Sequence, residues 1–165
     1  MSKRVHISNK DYLKGLKEVT ANIQAATDRL EKKSVRGLAD ALMFVGTESQ
    51  KRAPVETGDL RGSLEISIDE TVLAKGIESD LPEEERKRMR KEGTPGSEVG
   101  LGLQKLSDAP EKGSVGKVTY GSVYAANQHE HTEYDHPMGG QAKYLESVLV
   151  ENSSRILKLI AGTEE

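Results

Sequence analysis

The first third of the chain carries apolar residues at steps of three and four, which is the spacing of one face of an α-helix. They are Tyr12, Leu16, Val19, Ile23, Ala26 and Leu30. The phase then slips, because the next apolar set begins five residues after Leu30 with Val35, and Gly37 follows the slip. An unbroken helix over residues 9–53 would be about 65 Å long, whereas a compact domain of this size has a radius of gyration of about 15 Å. We therefore expect a break or bend near residues 33–37, with the first half of the helix lying against a neighbour.

Alternation of apolar and polar residues after the helix predicts β-strands. Pro54 ends the helix, since the residue before a proline is pushed out of the helical region. Apolar Leu64, Ile66 and Ile68 alternate with polar residues, which is typical of a half-buried strand. Three further strands are expected, and their ranges are 71–78, 99–104 and 115–123.

Two other stretches complete the prediction. Residues 79–97 hold a run of charges followed by glycine and proline, and we interpret them as a mobile excursion from the sheet. Residues 141–161 have the pattern of an amphipathic helix. Its apolar stripe consists of Leu145, Leu149, Ile156 and Ile160. The order of elements indicates an α+β fold with a long N-terminal helix, an antiparallel sheet of about four strands and a C-terminal amphipathic helix. We assign residues 1–34 to a helical extension and residues 35–165 to a single α+β domain.

Composition narrows the classes of function. The 165 residues include no Cys, which excludes a disulfide framework and thiolate chemistry. Aromatic residues make up 4% and charged residues 31% of the chain, so we expect a thin aliphatic core that gains stability from partners. No apolar run approaches the roughly 20 residues that a membrane span needs, so no membrane partner is expected. The formal net charge of −3 gives no electrostatic footprint for nucleic acid.

The segment 53–63 joins the helix to the sheet and contains Pro54, Thr57 and Gly58. Gly58 can adopt a positive φ at no steric cost, and the Thr57 side chain can hydrogen-bond the backbone of a turn. From the residues alone, the segment is interpreted as a well-made corner between a helix and a strand.

Residues 120–137 hold three of the four histidines and three of the five tyrosines. One interpretation is a metal site on His129, His131 and His136, in which the first two project from the same face of a strand. The spacing is not the His-Glu-x-x-His pattern of zinc proteases, and no recognisable motif positions a general base. We favour a polar, hydrogen-bonded loop at a subunit contact, and we expect no metal, no cofactor and no catalytic residue.

Two motifs occur in an order that resembles a family of phage proteins. A helix that runs into Ala-Pro-Val-Glu-Thr-Gly-Asp-Leu-Arg-Gly-Ser is similar to the hallmark of phage tail-completion or head–tail joining proteins. Glu56 stands where Asp is commoner, which keeps the charge but lengthens the side chain. A Tyr-Ala-x-x-Gln-His-Glu block and a Lys-Tyr-Leu-Glu helix start then follow. The matching residues are Pro54, Thr57, Gly58, Leu60, Arg61, Ser63, Tyr124, Ala125, His129, Glu130, His136, Tyr144 and Leu145.

The resemblance spans residues 35–160 and implies a structural virion protein, assembled in the bacterial cytoplasm, without catalysis or cofactor. It implies a tail-completion subunit in a homo-oligomeric ring, with a hexamer favoured, between the tail and the DNA-filled head. Neighbouring neck and tail proteins would be its partners, and duplex DNA would pass through the ring without sequence-specific binding. Head-closure and tail-terminator subunits are alternatives of the same class. The rival classes are a metal-binding protein or hydrolase built on the three histidines, and a small adaptor of cellular origin.

Overall fold

The structure is a computed structural model that describes residues 9–55, 58–77, 82–92, 102–113 and 115–163. Within these ranges the chain forms a long helix, a four-stranded sheet and a set of shorter helices. In chain order the elements are α1 (Asn9–Arg52), α2 (Asp59–Gly62), β1 (Leu64–Ile68), β2 (Thr71–Gly76), α3 (Glu83–Glu92), β3 (Leu103–Lys105), β4 (Gly116–Tyr120), α4 (Ala125–Glu130), α5 (Tyr144–Glu151) and α6 (Ser153–Ala161). The α+β class and the long N-terminal helix predicted from the sequence are confirmed.

Helix α1 runs through 44 residues without interruption, so the expected break near residues 33–37 is wrong. The phase slip instead marks the place where the helix meets the rest of the molecule. Every residue from Leu13 to Ser34 is exposed, and burial begins at Val35. Gly37 lets α6 approach closely, because a Cβ on this residue would lie 2.5 Å from the backbone oxygens of Leu159 and Ile160. The assignment of residues 1–34 as a separate extension stays a prediction.

The sheet is antiparallel, with the strand order β3-β2-β1-β4. The predicted strand at residues 64–68 is β1, which lies inside the sheet and buries Ile66 and Ile68 completely. The second half of α1 packs on these residues and contributes Val35 and Ala39 to the core. This packing fixes the direction of α1 relative to the sheet.

The other predicted strands are shorter in the structure. Strand β2 ends at Gly76 and β4 spans only Gly116–Tyr120, while Val123, placed in the predicted strand, is 99% exposed. Strand β3 covers Leu103–Lys105, and the earlier part of its predicted range, through residue 101, lies outside the described residues. The predicted charged excursion contains the helix α3, and its residues 79–81 and 93–97 are outside the described ranges.

The C-terminal helix expected over residues 141–161 is confirmed, but it differs from the prediction in two respects. The chain forms α5 and α6, separated at Asn152, whose backbone and side-chain nitrogens both donate to the carbonyl of Val148. Such a local side-chain bond competes with the helical ladder and ends α5. The buried face of α5 carries Tyr144 and Val148, whereas Leu149 from the predicted stripe is 46% exposed.

Candidate assembly corner

The corner between α1 and the sheet is built around the side chain of Arg61. Its Nε donates to the carbonyl of Ala53 at 3.0 Å, and its Nη2 donates to the carbonyls of Ala53 at 2.8 Å and Lys51 at 3.1 Å. The last carbonyls of a helix have no partner within the helix, and a cation there also complements the helix dipole. Arg61 therefore caps α1 from the next element, with 6% of its surface exposed. Burial lowers the pKa of the guanidinium, and Tyr120 opposes that shift.

The backbone of the corner takes the conformation that the sequence predicts at Gly58. Its φ is 84°, in the left-handed region, and it stands immediately before α2. Ser63 closes α2 by donating its hydroxyl to the carbonyl of Leu60 at 2.8 Å. Pro54 and Leu60 are buried at the corner. Thr57, which the motif also includes, lies outside the described residues.

Gln50 ties the end of α1 to the sheet, and the sequence analysis did not single it out. The side chain is 1% exposed. Its Nε2 donates to the carbonyls of Arg61 at 2.8 Å and Gly102 at 3.0 Å, and its Oε1 accepts from the backbone N–H of Gly102 at 2.7 Å. The sequence signal that could have identified Gln50 is its place as a polar residue in the last turns of an amphipathic helix, close to the stripe that faces the core.

The second motif segment packs directly on the corner. The backbone N–H of Val55 donates to the carbonyl of Gly139 at 3.0 Å, and that of Gln141 donates to the carbonyl of Arg52 at 2.8 Å. Gly140 lies between them with φ 96°, and a Cβ on it would be 2.4 Å from the Cα of Pro54. Two segments that are far apart in sequence therefore meet as one unit.

Tyr144 anchors α5 beside this unit. Its hydroxyl donates to the carbonyl of Ala125 at 3.1 Å, and its ring makes edge contacts with Tyr120 and His129 at centroid distances of 5.0 and 4.9 Å. Burial raises the pKa of Tyr144 to about 12. Ala53 and Leu60 belong to the same apolar cluster. Half-buried Tyr120, Tyr124 and Leu145 pack against it.

His129 lies in α4, so the expected pairing of His129 and His131 on one strand is wrong. Its Nδ1 is 2.7 Å from a carboxylate oxygen of Glu130, and its Nε2 accepts the backbone N–H of Glu146 at 3.4 Å. Lys143 forms ion pairs with the carboxylates of Glu130 and Glu146. Hydrogen bonds from Lys143 and then from His129 lower the pKa of Glu130.

The other two histidines have separate surroundings. His131 approaches Glu133 at 2.6 Å and stacks on the ring of Tyr134 at 4.8 Å. The Nε2 atom of His136 is buried, with no hydrogen-bond partner among the described residues. Among the described residues, no group of three or more His, Asp or Glu side chains is placed so that it could hold a metal ion. The fold does not bring His129, His131 and His136 together as the alternative metal site requires.

The polar side chains of the corner form hydrogen bonds with backbone groups of neighbouring elements. The corner is therefore an architectural feature of an α+β domain. Residues 17–152 match the model of the HK97-gp10-like family, described as "Bacteriophage HK97-gp10, putative tail-component". The chain belongs to this family of phage tail components, and the family expected from the two motifs is confirmed. No curated protein and no solved structure matches the chain. Within the described residues, no helix has the length and apolar content needed to cross a membrane.

Proposed function

We propose that this chain is a tail-completion subunit that forms a ring, with a hexamer favoured, and joins the phage tail to the DNA-filled head. A tail component works in the virion, in contact with other tail and neck proteins. The observation that carries the proposal is the exposed apolar stripe on the first half of α1. Leu16, Val19, Ile23 and Leu30 are 45%, 55%, 62% and 69% exposed, and no described part of the chain covers them.

A second apolar surface lies at the other end of the chain. Val150 and Leu157 are 70% and 66% exposed on α5 and α6. We infer that both sets of exposed apolar side chains contact other molecules, as exposed apolar patches on soluble proteins do. Two different contact surfaces on one subunit suit heterologous association, which closes into a ring when the rotation between neighbours allows it.

The corner would give such a ring a fixed geometry. Arg61, Gln50 and Gly140 hold the end of α1, the sheet and α5 together, so the two apolar surfaces keep a constant relative direction. The motif residues would thus act in assembly by shaping the subunit, without chemistry of their own. The segments 79–97 and 128–137 would be available to neighbouring neck and tail proteins.

A phage that lacks a functional copy of the gene tests the joining role. We expect lysates to contain DNA-filled heads and separate tails, as seen by electron microscopy, and purified wild-type protein to restore joined, infectious particles. Joined particles in the absence of the protein would contradict the proposal. Filled heads that lose their DNA would instead favour the head-closure alternative.

A further inference from the structure

The sheet ends at strand β4 on one side, and the outer backbone groups of β4 have no hydrogen-bond partner among the described residues. In an antiparallel ladder, successive residues turn their backbone groups alternately to one side of the strand and to the other. Val115 accepts the N–H of Asp69 at 2.8 Å, and Gly121 donates its N–H to Ser63 at 3.0 Å, so the odd-numbered residues face β1. The even-numbered residues therefore turn their N–H and C=O groups away from the sheet, and they are Gly116, Val118 and Tyr120.

Strand β3 forms the opposite edge of the sheet and is open in the same way. Leu106 donates its N–H to the carbonyl of Leu73 at 2.8 Å, so the even-numbered residues here face β2. Leu103 and Lys105 consequently turn their backbone groups outward, where no described residue bonds them. Each edge thus offers a donor and an acceptor at every second residue, which is the arrangement that accepts a further strand.

The two edges also have matching directions. Strand β1 runs opposite to both β2 and β4, and β3 runs opposite to β2, so β3 runs opposite to β4. A second copy placed beside the first in the same orientation therefore presents its β3 antiparallel to β4 of the first. Because the two edges are different surfaces, each subunit can bind one neighbour on either side, which is the heterologous contact of a closed ring.

We propose that β4 pairs with β3 of a second copy of this chain, so that the sheet continues from one subunit to the next. One register joins the apolar side chains that the two edges leave exposed. Val115 and Leu106, which lie just outside β4 and β3, are 52% and 49% exposed. When these two residues stand opposite each other, Val118 stands opposite Leu103, and both of these pack partly buried against the core. The exposed apolar surface at each edge is thus covered by the other edge.

The other positions of this register also suit a close contact. Lys117 stands opposite the uncharged Gln104, and Lys105 stands opposite Gly116, so no like charges meet across the strands. The outward-facing residues of the two strands stand opposite one another and exchange backbone hydrogen bonds in both directions. The pairing rests on the proposed function for its closure into a ring, and it names the contact between neighbouring subunits.

Cysteine cross-linking of the full chain tests the register, since the native sequence contains no Cys. In the double variant Leu106→Cys/Val115→Cys, thiols of neighbouring subunits occupy a non-hydrogen-bonded pair, whose Cα atoms lie about 4.5 Å apart and within disulfide reach. Within one subunit β2 and β1 separate the two positions by about 14 Å, so a link must join two copies. We expect mild oxidation of the concentrated protein, and of purified particles, to give a ladder of linked chains on a non-reducing gel.

The matched control is the double variant Leu106→Cys/Thr119→Cys, which should stay unlinked. Thr119 is exposed on the same face of β4 as Val115 but lies farther along the strand. Equal linking in the two double variants would overturn the proposal. Dimers formed by Val115→Cys alone would show that β4 pairs with β4 of another copy, and they would also overturn it.

A proline at an outward-facing position gives an independent measurement, because it removes an outer donor and leaves the subunit's own ladder intact. Lys105→Pro should weaken self-association by about tenfold or more in light-scattering mass measurements over a concentration series. Lys105→Ala loses the same side chain but keeps the N–H, and it should associate like the native chain. Circular dichroism checks that both variants are folded. Equal association of the two variants would overturn the edge pairing.

The outcomes separate the pairing from the proposed function. If particles contain the ring but Leu106→Cys/Val115→Cys stays unlinked in them, the edge pairing is overturned while the proposed function stands. If this variant links but heads and tails join without the protein, the proposed function fails and the edge pairing stands. Loss of binding to a neck protein in Lys105→Pro, with self-association unchanged, would assign the edge to a foreign strand and overturn the second copy.

Discussion

Arg61 is a charged residue that the corner buries against the end of α1. Its guanidinium donates to the carbonyls of Lys51 and Ala53 at the end of the helix. The residue was singled out through its motif, and only the structure shows what it does. Gln50 has a comparable role but belongs to no motif. A buried amide that hydrogen-bonds backbone groups produces no distinctive spacing of residues in the sequence.

Replacing Arg61 by Ala should destabilise the subunit by about 2–4 kcal/mol, since the buried carbonyl of Ala53 and the carbonyl of Lys51 lose their donor. Arg61→Lys should recover part of this loss, because an ammonium keeps the charge without the planar fork. Arg88→Ala on the exposed helix α3 is the control, with an expected change within about 0.5 kcal/mol. Urea unfolding at fixed protein concentration measures all three. Equal stability of Arg61→Ala and Arg88→Ala would show that the cap does not hold the corner.

Among the elements, α1 differs most from what its sequence pattern suggested. The phase slip after Leu30 was interpreted as a break, but the residues on both sides of it belong to one uninterrupted helix that has different neighbours along its length. Periodicity reports where apolar residues lie and not whether the partner is in the same chain. The same limit explains α5, where Tyr144 and Val148 pack inward because the corner and α1 lie on that side.

Gly37 and Gly15 give a test within this one helix. A Cβ at Gly37 would collide with backbone carbonyls of α6, whereas nothing lies within 4 Å of a Cβ at Gly15. Gly37→Ala should therefore destabilise the protein by about 1–3 kcal/mol through overpacking, despite its better helix propensity. Gly15→Ala should stabilise it by up to about 1 kcal/mol. Thermal unfolding of the two variants measures the difference, and equal shifts of the same sign would mean that α6 does not pack closely on α1.

The sequence predicted the sheet well at its centre and poorly at its edges. Leu64, Ile66 and Ile68 alternate because β1 has strands on both sides and α1 on one face. Strand β3 is only three residues long, and Gly102 just before it is held by Gln50 of α1, a contact that no local pattern encodes. The motif residues of the corner could be named from the sequence, but only the structure shows that Pro54 lies against Gly140.

For the whole molecule, the charge balance bears on the channel of the proposed ring. A formal net charge of −3 is compatible with duplex DNA sliding through such a channel without strong attachment. We expect binding to random duplex DNA to be weak at low salt and lost at moderate salt, because only scattered phosphate contacts are available. Fluorescence anisotropy with labelled DNA across a salt series measures this. Tight, salt-resistant binding would contradict a passive channel.

The meeting of residues 139–141 with the end of α1 also sets an order of events during synthesis. Helix α1 is synthesised before the sheet, whereas the loop that closes its end and the helix that lies on Gly37 are synthesised after the sheet. Contacts between distant segments form late because closing a long loop costs entropy. A chain that stops before residue 139 thus lacks the backbone partners of Val55 and Arg52, and its corner stays open.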